Sequence, residues 1–310
     1  MRLEKLILNN NYGIIKHNIK FSEITTMKVG GLISNLYFPN SIDSLIIVSK
    51  YLLKYHKKYF VIGNGSNIIA SDYKYKRLVI SGKHIDDEIK INNDEIYVSA
   101  FMDLRKVINF LLKENIITFV KLSGVPATIG GALFMNASSN GYSIYDDLVS
   151  VRFIEKGVVK EKNRDKLRYS YRKSEFQNSN IIIISAVFKV KYSSNAIEEH
   201  KKIIKMRKEK QPLNFPNSGS IFRNGPSYYA YEIIRKINLV DYKIGNATFS
   251  KKHSNFIVNL GNAKAKDVFK LIVLAKKLAV IYEGIKLKEE VILLNFKLDG
   301  FLCKKIWHSF

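Results

Sequence analysis

The sequence predicts a mixed chain, α/β or α+β, and three observations predict it. Segments with helical apolar spacing alternate with short strand-like runs. Two glycine-rich turns each follow an apolar run: Val61-Ile-Gly-Asn-Gly-Ser-Asn67 and Ser123-Gly-Val-Pro-Ala-Thr-Ile-Gly-Gly-Ala-Leu-Phe-Met-Asn-Ala137. A hydrophobic content of 46% with only 5 prolines in 310 residues supplies a large folded core. A chain of this length divides into two or three domains.

Residues 41–57 open on Ser41, an N-cap residue, and continue with apolar residues at helical spacing. Tyr59 to Ile62 is a short strand running into the first glycine turn, and Arg77 to Ile80 is another. Glu95 to Ala100 alternates as a strand does, and 102–115 has the pattern of an amphipathic helix. Strands are predicted at 148–155 and 181–192, with a charged hairpin or loop between them. A very basic helix over 195–210 ends at Gln211-Pro212, because proline disfavours helix in the residue before it. Beyond it the pattern predicts a turn-rich stretch at 213–227, a helix at 228–238 and a strand at 255–260. A long helix at 264–283 and a final strand at 287–296 complete the pattern. The division expected is 1–195, in two subdomains meeting near 82–95, then 196–300, then a tail at 301–310.

The net charge of +24 invites a nucleic-acid reading. Against it, the lysines are spread along the whole chain without an arginine-rich tract. No nucleic-acid partner is expected, although a general pull on anionic substrates is. The single cysteine, Cys303, cannot form an intrachain disulfide, which fits a reducing cytoplasm. No run reaches the roughly 18 apolar residues of a membrane span, and the richest stretch, Val268 to Tyr282, is broken by Lys270, Lys276 and Lys277. No Cys/His cluster has metal-ligand spacing, so no metal is expected.

Successive backbone N–H groups in glycine turns form concave anion sites. Two such turns about sixty residues apart point to one elongated phosphate-bearing ligand, and a nucleotide cofactor is the natural candidate. The first turn has Gly63 and Gly65 at the spacing of a dinucleotide fingerprint, with Asp86 about 20 residues on. Position 68 is Ile68 where the third glycine belongs, and the following residues do not open a helix, so a Rossmann site ranks low.

Three segments carry a more specific pattern: Gly63-Asn-Gly-Ser-Asn-Ile-Ile-Ala-Ser-Asp72, Gly124 through Ala137, and Tyr171-Arg-Lys-Ser-Glu-Phe176. Further on come Gln211-Pro-Leu, Ser218-Gly-Ser-Ile-Phe-Arg-Asn224, His253-Ser-Asn-Phe-Ile-Val-Asn259 and Leu287-Lys-Glu-Glu-Val291. Together they resemble the UDP-N-acetylenolpyruvoylglucosamine reductases, in order from about Thr26-Met-Lys-Val-Gly-Gly31 to Val291, with the spacing of the shorter form of that family. The resemblance implies an α+β enzyme. Two N-terminal subdomains would hold noncovalent FAD in a fold similar to vanillyl-alcohol oxidase-type flavoproteins, and a C-terminal domain would bind the substrate. It implies a monomeric cytoplasmic enzyme of peptidoglycan precursor synthesis, with NADPH as hydride donor and UDP-N-acetylglucosamine enolpyruvate as acceptor. Some positions depart from the family pattern. Thr25 replaces an Asn, Ala127 a Gly, Ser138-Ser-Asn-Gly-Tyr142 a more glycine-rich stretch, and Gly225 intrudes before Pro226.

The resemblance also assigns roles. Backbone N–H groups of 63–67 and 128–131 would hold the FAD pyrophosphate, making Gly63, Asn64, Gly65, Ser66, Asn67, Thr128, Gly130, Gly131 and Asn136 the cofactor residues. Hydride would pass through FAD N5 to the enolpyruvyl carbon, and charge would develop on the adjacent carbon and carboxylate. Arg172 would polarise that carboxylate, since a guanidinium stays protonated and grips a carboxylate in two places. Ser220 would donate the proton, with Gly219 allowing close approach. Glu289 and Glu290 would point opposite ways along a strand, and the family pattern picks Glu290. Tyr171, Arg223 and Asn224 would be substrate neighbours, and His253 structural.

Overall fold

The computed structural model describes residues 3–86, 88–177 and 180–296. In chain order the helices are α1 (Leu3–Asn9), α2 (Phe21–Ile24), α3 (Ile42–Lys54), α4 (Leu104–Lys113), α5 (Ile129–Met135), α6 (Ala196–Lys210), α7 (Ala230–Lys236) and α8 (Ala265–Glu283). The chain folds as two compact units. The first comprises 1–18, 34–64 and 76–209; the second comprises 19–33, 65–75 and 210–310. α6 packs in the first unit, burying Ala196 and Ile203 in its core. The excursions around 19–33 and 65–75 give Met27, Val29 and Ile69 to the core of the second.

Among the described residues the first unit carries two larger sheets. One has the order Ile14–Lys20, Leu32–Phe38, Tyr75–Ser81, Tyr59–Ile62, with the last two parallel. α3 covers it. Ser41 caps that helix by accepting the Ser44 N–H at 3.1 Å, and Leu45, Val48 and Leu52, spaced for one helical face, are buried. The second sheet is antiparallel throughout, in the order Val158–Asn163, Leu148–Glu155, Ile181–Lys189, Glu95–Ser99, Ile89–Asn92. The chain passes from one sheet to the other between Ser81 and Ile89. α4 buries Leu104, Val107, Ile108 and Leu111 against this second sheet's core, each worth about 1.5–3 kcal/mol of removed apolar surface.

In the second unit the sheet order is Asn217–Ser220, Phe256–Asn259, Ala247–Phe249, Lys243–Ile244. α7 and α8 share its core through Ile233, Ile234, Val268, Leu271 and Ala275. A separate parallel pair joins Ile68–Ala70 to Ile292–Leu294. The final strand is therefore three residues long, not the ten of 287–296. Among the described residues, 284–291 form no ladder, and their one bridge is Phe222–Glu289. The predicted tail at 301–310 lies outside the described residues. Among those described, no helix is long and apolar enough to cross a membrane, and no group of three or more His, Cys, Asp or Glu side chains could hold a metal.

Candidate active site

The first glycine segment leaves the parallel pair of the first unit at Ile62 and continues into a short strand at Ile68, not into a helix. That rules out a dinucleotide fingerprint here. Among the described residues none of the backbone N–H groups of 63–67 has a protein acceptor, which is the raw material of an anion nest. In the first unit, Gly63 lies so close to Thr128 that a Cβ there would sit 2.5 Å from its hydroxyl. Glycine is required by that approach. The Asn64 side chain donates to Asp103 Oδ2 at 2.8 Å. Burial opposes the charge on Asp103, but the Arg105 side chain and backbone N–H outweigh it and hold the carboxyl below its usual range. In the second unit, Asn67 donates from its side chain to the Glu290 carbonyl at 3.1 Å and accepts from Ile292 N–H at 2.9 Å. Asn67 thus fixes the backbone that carries Glu290.

The second glycine segment is a helix start. Thr128 caps α5, its hydroxyl accepting the Gly131 N–H at 3.1 Å. The Ile129 and Gly130 N–H groups donate to Met102 O at 3.0 Å and Ala100 O at 2.7 Å. The pyrophosphate role read for the N–H groups of 128–131 is corrected at these three positions, because each is committed to a protein acceptor. Asn136 is also absorbed. It ends α5 at φ 44°, donates to Ser170 O at 2.8 Å and accepts from the Ser143 hydroxyl at 2.5 Å. What this region offers an anion instead is Arg207, on α6. Burial lowers the pKa of its guanidinium. Its Nε has no hydrogen-bond partner among the described residues and lies against Gly124, where a Cβ would come within 2.8 Å of it. A partly buried cation with no carboxylate beside it among the described residues is costly until an anion arrives. Sequence reasoning missed Arg207, which is one cation among many on a lysine-rich helix.

Tyr171 and Arg172 form the two-residue turn of a hairpin between Tyr169–Ser170 and Lys173–Ser174. Arg172 sits in the left-handed region at φ 56°, a conformation that costs a non-glycine residue about 1 kcal/mol. Its guanidinium stacks over the exposed Tyr171 ring, 5.2 Å from the centroid. Nη1 donates to the Ser138 hydroxyl at 2.6 Å and to the Ser138 carbonyl at 3.1 Å.

In the second unit Ser220 ends the strand Asn217–Ser220. Asn217 faces Val258 and Ser220 faces Phe256, so a bulge separates them. Gly219, at φ 77°, makes the bulge, and the space beside its Cα is open. A bulge of this kind re-aims the side chain that follows it. Arg223 Nε donates to Glu289 O at 3.1 Å, and Asn224 Oδ1 accepts the Ala230 N–H at 3.0 Å, holding the start of α7. Of the two adjacent glutamates, Glu289 is committed to Lys276 at 2.6 Å.

His253 packs edge-on against Phe256, the strand partner of Ser220, at 4.7 Å. Its Nδ1 has no hydrogen-bond partner among the described residues. Burial lowers its pKa, and the Arg235 cation adds to the effect. The unfolded chain therefore takes up a proton near pH 6.5 that the folded ring refuses, and stability falls as pH drops below that value. His253→Phe is expected to flatten the decline in melting temperature between pH 7 and pH 5. An unchanged slope would assign the decline elsewhere, His200 being also depressed by burial.

In the first unit, the Gly63 and Asn64 N–H groups and the Arg207 Nε are each suited to an anionic partner. They occur in a chain whose residues 19–157 match the family described as FAD binding domain. The class so defined is the FAD-dependent oxidoreductases. Residues 211–294 match the family described as UDP-N-acetylenolpyruvoylglucosamine reductase, C-terminal domain. The reductase of that name from Aquifex aeolicus is 36% identical over 90% of this chain and 94% of its own. The one from Bacillus pumilus is 34% identical over 89% and 92%. The crystal structure of the enzyme from Thermus caldophilus superposes with a TM-score of 0.78 at 25% identity, covering 91% of this chain and 100% of that one. The chain belongs to the UDP-N-acetylenolpyruvoylglucosamine reductase family.

Proposed function

We propose that this protein reduces the enolpyruvyl ether of UDP-N-acetylglucosamine enolpyruvate to UDP-N-acetylmuramate, with NADPH as the electron donor, for peptidoglycan precursor synthesis. The observation that carries the reading is the kinship with reductases named for this substrate over nine tenths of the chain. We place the enzyme in the cytoplasm, as a monomer, acting on small molecules alone.

FAD, when bound, supplies the two-electron carrier between nicotinamide and enolpyruvyl group. The N–H groups of 63–67 and the Arg207 guanidinium are the protein groups suited to its phosphates. Arg172 pairs with the substrate carboxylate and stabilises the negative charge that develops there when the terminal carbon is reduced. Preorganisation supports this role, since its side chain is already anchored at Nη1. Ser220 delivers the proton to the adjacent carbon, its hydroxyl O–H bond breaking as the C–H bond forms. Glu290 either hydrogen-bonds the substrate as a neutral acid or relays a proton to Ser220. The family pattern, which places its glutamate directly before the valine, supports the choice of Glu290. Tyr171, Arg223 and Asn224 are the substrate neighbours.

The test is product formation. Purified enzyme loaded with FAD should consume NADPH only when the enolpyruvyl substrate is present, and mass spectrometry should find UDP-N-acetylmuramate. A flavin that NADPH reduces, with no muramate formed, would reject the reading.

A further inference from the structure

We infer that Ser138 is a positioning residue that holds the Arg172 guanidinium in its working orientation through its side-chain hydroxyl. The inference rests on the proposed role of Arg172. Ser138 begins a segment, Ser138 to Tyr142, that is less glycine-rich than the family pattern. The structure turns that departure into a device. Ser138–Ser139 pairs with Tyr142–Ser143, closed by Asn140 at φ 52° and Gly141 at φ 71°. Two consecutive positive φ values are those of a type I′ turn, for which Asn-Gly is the preferred pair. The small hairpin is therefore specified locally, and it is pinned at its tip by Asn140 Nδ2 donating to Lys121 O at 2.9 Å. Its base is fixed by the Ser143 hydroxyl on Asn136 Oδ1 at 2.5 Å.

Asn136 ties the same base to the second hairpin, through Ser170 O at 2.8 Å, one residue before Tyr171. Two short hairpins are thus fastened to each other at Asn136 and again at the Ser138–Arg172 contact. A guanidinium is planar with donors in a fixed fork, so anchoring Nη1 on one side by Ser138 at 2.6 Å and stacking the plane over Tyr171 at 5.2 Å sets its orientation. A glycine at 138 would keep the carbonyl contact at 3.1 Å and lose the hydroxyl one.

The experiment is a double-mutant cycle on the second half-reaction. Each enzyme, loaded with FAD, is reduced with dithionite and mixed anaerobically with UDP-N-acetylglucosamine enolpyruvate, and flavin reoxidation is followed by absorbance. Ser138→Ala is expected to slow reoxidation by about tenfold, the scale of one hydrogen bond to a charged group. Ser138→Thr, which keeps the hydroxyl, should recover most of the rate. In an Arg172→Ala background Ser138→Ala should have no further effect on the rate, and the two substitutions should be non-additive in melting temperature as well. An equal slowing in both backgrounds, or no slowing by Ser138→Ala, overturns the inference while leaving Arg172 in its role. An Arg172→Ala enzyme with wild-type reoxidation rejects the role of Arg172 itself, and the inference with it.

Discussion

Ser220→Ala is expected to leave flavin reduction by NADPH nearly unchanged and to slow reoxidation by the enolpyruvyl substrate by roughly 10²-fold or more. The two half-reactions differ in their need for a proton at substrate carbon. Only the second requires one, and a serine hydroxyl suffices only where geometry holds it at a strongly basic carbon. The structure provides a local reason for such a hold. The Gly219 bulge breaks the ladder to Phe256–Asn259, so Ser220 is set by a strand end and by the bulge at once. Asn217 Oδ1 accepts the Gly219 N–H at 3.0 Å and stiffens the same turn. Ser220→Cys, whose S–H can also donate, should retain more activity than Ser220→Ala. Stopped-flow absorbance separates the steps. Slower flavin reduction with reoxidation spared would return Ser220 to being an ordinary turn serine.

Much of this architecture could be read from local chemistry. The strand Tyr59–Ile62 and helix α3, with its Ser41 cap, follow from periodicity and capping alone. So does the absence of a helix after Asn67. What periodicity could not give is which distant segments meet. Asn67 and Glu290 are 223 residues apart in sequence, and the hydrogen bond from the Asn67 side chain to the Glu290 carbonyl is visible only in the fold. The strand predicted over 287–296 failed for a related reason. Leu287 to Val291 has the apolar–polar pattern, but a strand needs a ladder, and this stretch finds one bridge. The second glycine segment reads as a phosphate turn because glycine turns expose backbone N–H groups. The Thr128 cap and the close approach of Gly130 to Ala100 make it a helix start instead. The segment from Ser138 to Tyr142 reads only as a departure from a glycine-rich family pattern, although its Asn140-Gly141 pair carries a hairpin signal; in the structure it builds a second hairpin beside Arg172.

The last expectation separates the conformation of Arg172 from its charge. At φ 56° this residue holds a backbone that glycine adopts without penalty and most side chains do not. Arg172→Ala and Arg172→Gly both remove the guanidinium, its bonds to Ser138 and its stacking on Tyr171. They differ only in strain, since alanine keeps the Cβ that crowds the left-handed turn. The two variants should therefore be equally poor catalysts, reoxidising roughly 10²- to 10³-fold more slowly than wild type, the cost of removing a preorganised group that stabilises developing charge. Their stabilities should diverge, with the glycine variant about 1 kcal/mol more stable than the alanine variant. Thermal melting should place it about 1–2 °C higher. Arg172→Lys retains a positive charge but loses the planar fork, so it should recover only part of the rate. Equal melting of the glycine and alanine variants would mean that the turn is relaxed around arginine. Near-wild-type reoxidation in either variant would mean that the positive charge facing the substrate carboxylate comes from another residue. The ordering expected, with stability highest where the turn is relieved and activity lowest where the positive charge is gone, is that of a strained backbone kept for the position of one side chain.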